Sequence, residues 1–182
     1  MCGIVGVWSK NIVSIQEEYV DKILEKQHHR GPDNSSNYSI DGITLGHNRL
    51  AIIDLNANAN QPFISDCGRY SLVFNGEIYN YIELKKNLDY PFKTQSDTEV
   101  LLACYIKYGA RCLEKFNGMF AFAIYDKQDK TFFCARDRIG KKPFVYSEHY
   151  SGFYFASELS ALFSLGIFTD KEDEIGVAYS FL

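Results

Sequence analysis

Apolar residues along this chain cluster in short runs, and few of the runs carry a helical repeat. Runs rich in Val, Ile, Phe and Tyr, closed off by Gly, Asn or Asp, predict strands over residues 3–8, 42–49, 70–75, 120–126, 131–136, 143–147 and 153–157. The fourth and fifth flank a short polar stretch, 127–130, as an antiparallel hairpin does. Helical spacing is rarer. Ile15, Tyr19, Ile23 and Leu24 share one face of a helix over 14–28. A shorter helix is predicted over 81–88. Ser96-Asp97-Thr98-Glu99 is a capping-box pattern ahead of Val100, Leu101, Cys104 and Tyr108. Further helices are predicted over 158–165 and 175–182. Strands come in groups with helices between the groups. That predicts an α+β fold of antiparallel sheets covered by helices, not alternating βαβ units.

Composition narrows the class. With 182 residues, 46% hydrophobic and 23% charged, the chain is an ordinary globular sequence that can bury a core of its own. The expected organisation is a single domain over 1–182, with no room for a second large one. A net charge of −4 speaks against a general nucleic-acid binder. The longest apolar run, 119–125, is too short to span a bilayer, and no basic stretch followed by an apolar one opens the chain. The expectation is a cytoplasmic protein with no membrane partner. Cys2, Cys67, Cys104, Cys112 and Cys134 are odd in number and widely spaced, and none forms C-x-x-C. No metal site and no disulfide framework are expected, only mostly buried, inert thiols.

Cys2 does not fit that default. If Met1 is removed, the thiol and a free α-amine lie on one residue. The amine, with a pKa of about 7.7–8.0, can take the proton of a thiol at about 8.5 directly or through one water. An isolated Met-Cys start is more often chance, but this one opens Cys2-Gly3-Ile4-Val5-Gly6-Val7. The glycines allow close approach, and the Ile/Val residues favour a buried strand that would hold a nucleophile rigidly. A purely structural N-terminal strand is the rival reading.

Cys2-Gly3-Ile4-Val5-Gly6 resembles the start of class II glutamine amidotransferases, which are N-terminal-nucleophile hydrolases. Other segments are similar to the asparagine synthetase branch: Arg30-Gly31-Pro32-Asp33, Gly46-His47-Asn48-Arg49-Leu50-Ala51-Ile52-Ile53-Asp54 and Phe74-Asn75-Gly76-Glu77-Ile78-Tyr79-Asn80. Ser96-Asp97-Thr98-Glu99, the stretch from Gly118 to Asp126, Ala135-Arg136-Asp137-Arg138-Ile139-Gly140 and Phe155-Ala156-Ser157-Glu158 continue the likeness in family order. Each segment is weak alone, and together they are specific. The resemblance implies a four-layer αββα sandwich, two antiparallel sheets between helices. It also implies hydrolysis of glutamine to glutamate and ammonia through a Cys2 thioester.

The other site residues follow from what that chemistry needs. An oxyanion needs preorganised donors. Asn75 and Gly76 match the family's oxyanion hole through a side-chain amide and a backbone N–H. Asn-Gly is also the commonest hairpin turn signal, and a turn at a strand end is compatible with that role. A guanidinium suits the substrate carboxylate, and Arg49 is the candidate. An exposed strand-end arginine is its bland alternative. Asp97 matches the position that would hold the substrate ammonium, although an acid in the first turn of a helix is favoured by the helix dipole anyway. Glu77 and the backbone of Leu50, Ala51, Ile52 and Ile53 complete the implied glutamine pocket.

Arg30, Asp33, Asp137 and Arg138 read as a structural charge network. His28, His29, His47 and His149 read as surface or satisfied histidines with no acid partner visible in sequence. The resemblance implies no cofactor for this domain. ATP and Mg belong to a synthetase domain whose Ser-Gly-Gly-x-Asp-Ser loop is absent here. The expected partners are glutamine, a synthetase domain or subunit that accepts ammonia, and a second copy in a homodimer, with no nucleic acid. The tail pattern breaks off as a truncated product would; an excised domain and a stand-alone subunit are the other origins. Three further readings stand beside this one: an amidotransferase domain serving a sugar or natural-product acceptor, a different N-terminal-nucleophile amidohydrolase such as an acylase, and a catalytically silent interaction module.

Overall fold

The fold is that of a computed structural model, which describes residues 1–9, 16–149 and 152–166. The helix expected over 175–182 and the first residues of the one over 14–28 lie outside the described residues. The elements run β1 (Gly3–Ser9), α1 (Gln16–Lys26), β2 (Asn34–Ile40), β3 (Ile43–Arg49), β4 (Phe63–Ile64) and β5 (Tyr70–Ile78). Then come α2 (Tyr81–Lys86), α3 (Asp97–Tyr108), β6 (Gly118–Asp126), β7 (Thr131–Arg136), β8 (Val145–His149), β9 (Gly152–Ala156) and α4 (Leu159–Phe163).

The strands form a five-stranded sheet, β2-β3-β1-β9-β8, and a four-stranded sheet, β4-β5-β6-β7. All the pairings within them are antiparallel. The period-2 side-chain alternation of the strands builds the layers. On β1, Val5 and Val7 pack with Val20, Ile23 and Leu24 of α1. Ile4 faces the other way, into a core between the sheets shared with Leu45, Val73, Ala121, Ala123, Tyr125 and Phe155. On β5 and β6, Leu72, Phe74, Phe120 and Phe122 point outward onto Val100, Leu101 and Leu102 of α3. Three cores in series make four layers: helices, sheet, sheet, helices.

The hairpin predicted across 127–130 is present, with Asp126 opposite Thr131. Two differences from the sequence-based elements have clear causes. β2 reads Asn-Ser-Ser-Asn-Tyr-Ser-Ile and carries no apolar run, because it is an edge strand whose residues alternate between half-buried and exposed. It is joined to β3 by Asp41-Gly42, both at positive φ, the backbone a two-residue hairpin turn requires. The capping box forms only in part. Ser96 caps α3 by accepting from Thr98 N–H at 3.1 Å, but Glu99 reaches past it to the Lys93 and Thr94 N–H groups.

Candidate active site

Antiparallel pairing of β1 with β3 sets Gly3 opposite Asn48, so Cys2 lies beside the end of β3. Leu50 N–H points at Cys2 Sγ at 3.4 Å, and the thiol lies 3.7 Å from Leu50 O. Arg30 Nε donates to Cys2 O at 3.0 Å and ties down the residue from its carbonyl side. Cys2 opens onto a cavity of about 190 Å³. Arg49, Asn75, Gly76, Glu77 and Asp97 line the same cavity, with Leu50, Ile52 and Ile53 along one wall. Ala51 is not on that wall; its N–H donates to Asp33 Oδ2 at 2.8 Å.

Asn75-Gly76 is not a turn. Both residues lie within β5, opposite Ala121 and Phe120 of β6. The alternation of ladder hydrogen bonds then fixes which way each peptide faces. Phe120 spends its N–H and C=O on Asp137, away from β5. Its partner Gly76 therefore turns its own N–H away from β6. The same edge presents Phe74 N–H, which donates to Gln61 Oε1 at 2.6 Å, and Ile78 N–H, which donates to Asp97 Oδ2 at 2.9 Å. β4 covers β5 only at Ser71 and Leu72, so this stretch of edge faces the cavity. Beside it, Asn75 Nδ2 is buried without a hydrogen-bond partner among the described residues. A buried amide donor left unmade is costly unless something that accepts is meant to sit there. Residue 76 must be glycine: a Cβ would stand 2.3 Å from Met119 O.

Arg49 is buried at the end of β3, not exposed. Nη1 donates to Asn56 O at 3.0 Å and to Asn60 Oδ1 at 2.6 Å, and Nη2 donates to Asp54 O. Three of the five guanidinium donors are thereby used among the described residues. Asp97 is the first residue of α3 and is buried. Burial and the neighbouring Glu77 push its carboxyl up to about 6, against the pull of Ile78 N–H. Burial also raises the Cys2 thiol, opposed by Leu50 N–H, the N-terminal ammonium and Arg49.

The remaining charged residues do not form one network. Arg30 pairs with Glu158 at 3.0 Å, Asp33 holds Ala51 N–H, Asp137 accepts from Phe120, Lys141 and Lys142 N–H, and Arg138 reaches Leu113 O. His29 does have an acid partner, Glu158 at 2.9 Å, brought 129 residues along the chain by the fold. His47 is fully buried, its Nε2–H donates to Phe74 O at 3.1 Å, and burial pushes it down to about 3, so it stays neutral. Cys67 is exposed, unlike the buried Cys104 and Cys112. Sequence reasoning missed Gln61 and Lys142, which also line the cavity. Gln61 carries no local signal. Lys142 sits just past the Ala135–Gly140 segment, where a second lysine after Gly140 was the only hint.

A family model for the glutamine amidotransferase domain matches residues 1–182. The chain belongs to that family. It is 43% identical over 168 residues to asparagine synthetase [glutamine-hydrolyzing] 1 of Bacillus subtilis (strain 168), across 89% of this chain and 26% of that protein. It is 41% identical over 169 residues to asparagine synthetase B [glutamine-hydrolyzing] of Escherichia coli (strain K12), across 89% of this chain and 30% of that protein. The chain thus spans less than a third of the length of either relative. The solved glutamine phosphoribosylpyrophosphate amidotransferase of Bacillus subtilis superposes with a TM-score of 0.74 at 24% identity, covering 91% of this chain and 44% of that one. That likeness shows the fold: the layered α+β arrangement of this glutamine amidotransferase domain is the N-terminal-nucleophile hydrolase fold. Among the described residues no helix is long and apolar enough to cross a membrane.

Proposed function

We propose that this amidotransferase domain hydrolyses glutamine to glutamate and ammonia with Cys2, freed at its α-amine by loss of Met1, as nucleophile. The α-amine accepts the thiol proton, and the thiolate attacks the side-chain amide carbon. The tetrahedral oxyanion collapses to a thioester, and the proton leaves with ammonia. Water then releases glutamate. Asn75 Nδ2 and Gly76 N–H are the oxyanion donors. Arg49 holds the substrate carboxylate, Asp97 and Glu77 face its ammonium, and the wall of Leu50, Ile52 and Ile53 encloses it. The observation that carries this reading is Asn75 Nδ2, buried without a partner in the cavity that holds the Cys2 thiol.

The ammonia goes to a synthetase part, as a further domain or a partner subunit, where ATP and Mg act; residues 1–182 form one glutaminase domain with no cofactor of its own. The names of the two relatives and the fraction of their length that the chain spans support this. A cytoplasmic location and a homodimer complete the proposal. The test is glutamate release from glutamine by untagged protein, with Met1 loss confirmed by intact mass. Cys2→Ala is expected to abolish release while leaving the circular dichroism unchanged. Turnover that persists in Cys2→Ala overturns the mechanism.

A further inference from the structure

Lys142 is a buried lysine, 5% exposed, which is rare for this residue unless it is paired. Its backbone is clamped on both sides: Asp137 Oδ2 accepts its N–H at 2.9 Å, and Arg136 Nε donates to its C=O at 2.6 Å. The side chain is thereby directed into the cavity that holds Cys2. There Nζ donates to Met1 Sδ at 3.1 Å, a weak thioether acceptor. No carboxylate among the described residues lies within ion-pair distance of Nζ. Loss of Met1 removes the thioether and leaves a buried ammonium in the cavity that also holds Cys2.

We propose that Lys142 is a positioning residue for the reaction, whose ammonium stabilises the Cys2 thiolate formed when the α-amine takes the thiol proton. This rests on the reading of Cys2 as the nucleophile. A nearby cation favours an anion, so a fixed charge in the cavity favours the thiolate that attacks, while its proton stays on the α-amine for the leaving ammonia. Burial raises the thiol, and Leu50 N–H at 3.4 Å, the N-terminal ammonium and Arg49 offset it only in part, so a further positive charge in the cavity favours the thiolate. The other charges are accounted for. Arg49 and Asp97 act on the thiol with opposite sign, and Arg49 is shared among Asp54, Asn56 and Asn60. Around Lys142, Cys2 and Glu77 favour the ammonium, while burial, Arg30 and Lys141 oppose it. Arg30 is itself neutralised by Glu158, and the Asp137 carboxylate is filled by backbone N–H groups.

The test is the pH dependence of Cys2 alkylation by iodoacetamide in Met1-free protein, read on the N-terminal peptide so that exposed Cys67 is counted apart. Wild type is compared with Lys142→Met and Lys142→Arg. Lys142→Met is expected to move the midpoint up by about one pH unit, roughly a tenfold slower reaction at neutral pH, and Lys142→Arg to restore it. A folded Lys142→Met protein with the wild-type midpoint overturns the proposal, even if its glutamine turnover is lost. The wild-type protein gives a check that needs no variant. The Lys142 side-chain resonance, titrated before and after Cys2 alkylation, should titrate at lower pH once the thiolate is gone, and an unmoved titration overturns the proposal as well. Alkylation needs no glutamine. The expected midpoint change in a protein that fails to hydrolyse glutamine would therefore sink the nucleophile reading alone.

Discussion

Asp97→Asn should make the protein more stable while disabling it. The carboxyl is 4% exposed and stands at about 6 instead of 3.8. The folded state therefore binds this proton more tightly than the unfolded chain does. The penalty is absent well below pH 3.8, grows as pH rises, and is fully present above about 6. The gap between about 6 and 3.8, at about 1.4 kcal/mol per pH unit, amounts to about 3 kcal/mol. Asparagine has the same shape, carries no charge, and keeps an oxygen for Ile78 N–H, now at 2.9 Å. It gives up an acid at a helix N-terminus, about 0.3–1 kcal/mol. The net gain at pH 8 is then about 2 kcal/mol, and it shrinks by a similar amount on going down to about pH 4.5. Urea unfolding of both proteins at the two pH values measures it. Glutamine should protect the wild type against thermal unfolding more than the variant, because on the proposed mechanism the substrate ammonium has lost one of its two counter-charges. A variant no more stable than wild type at pH 8, or a difference that does not change with pH, refutes the argument.

Two other substitutions probe the β5 edge. Asn75→Ala removes one of the two proposed oxyanion donors and should lower kcat by about 10²–10³-fold with little change in KM; a kcat within a few-fold of wild type would take the amide out of the mechanism. Gly76→Ala places a methyl group 2.3 Å from Met119 O and 2.7 Å from Phe120 Cα. It should cost about 1–3 kcal/mol, read as a fall in Tm of about 2–4 °C for each kcal/mol, and an unchanged Tm would contradict the packing described for β5 and β6.

Strands whose apolar residues serve a buried sheet announce themselves, and β1, β3, β6 and β7 were legible for that reason. β2 was not, since an edge strand needs no apolar face and Asp41-Gly42 alone marked its hairpin. At Asn75-Gly76 local chemistry pointed to a turn, and the ladder with β6 overrode it. Cys2 at a strand start and Asp97 in a helix first turn could be placed from the motif order. That Arg49 is buried and divided among Asp54, Asn56 and Asn60 could not, because those partners belong to a loop with no periodic pattern. Gln61, Lys142 and the His29–Glu158 pair depend on contacts between distant segments, which no window of sequence contains.

The open edge of β5 works like a comb held at both ends. The N–H groups of residues 74, 76 and 78 stand about 7 Å apart along the strand. Gln61 grips the first and Asp97 the third. The middle tooth cannot slide without breaking one grip, so it inherits the stiffness of the whole sheet instead of the give of a loop. Gln61 lies in the chain 59 residues after Cys2 and still helps to set where Gly76 points. Drift of about 1 Å at such a donor is enough to slow a reaction severely. On the proposed mechanism, alignment of the strand and speed of the chemistry rise and fall together along this edge.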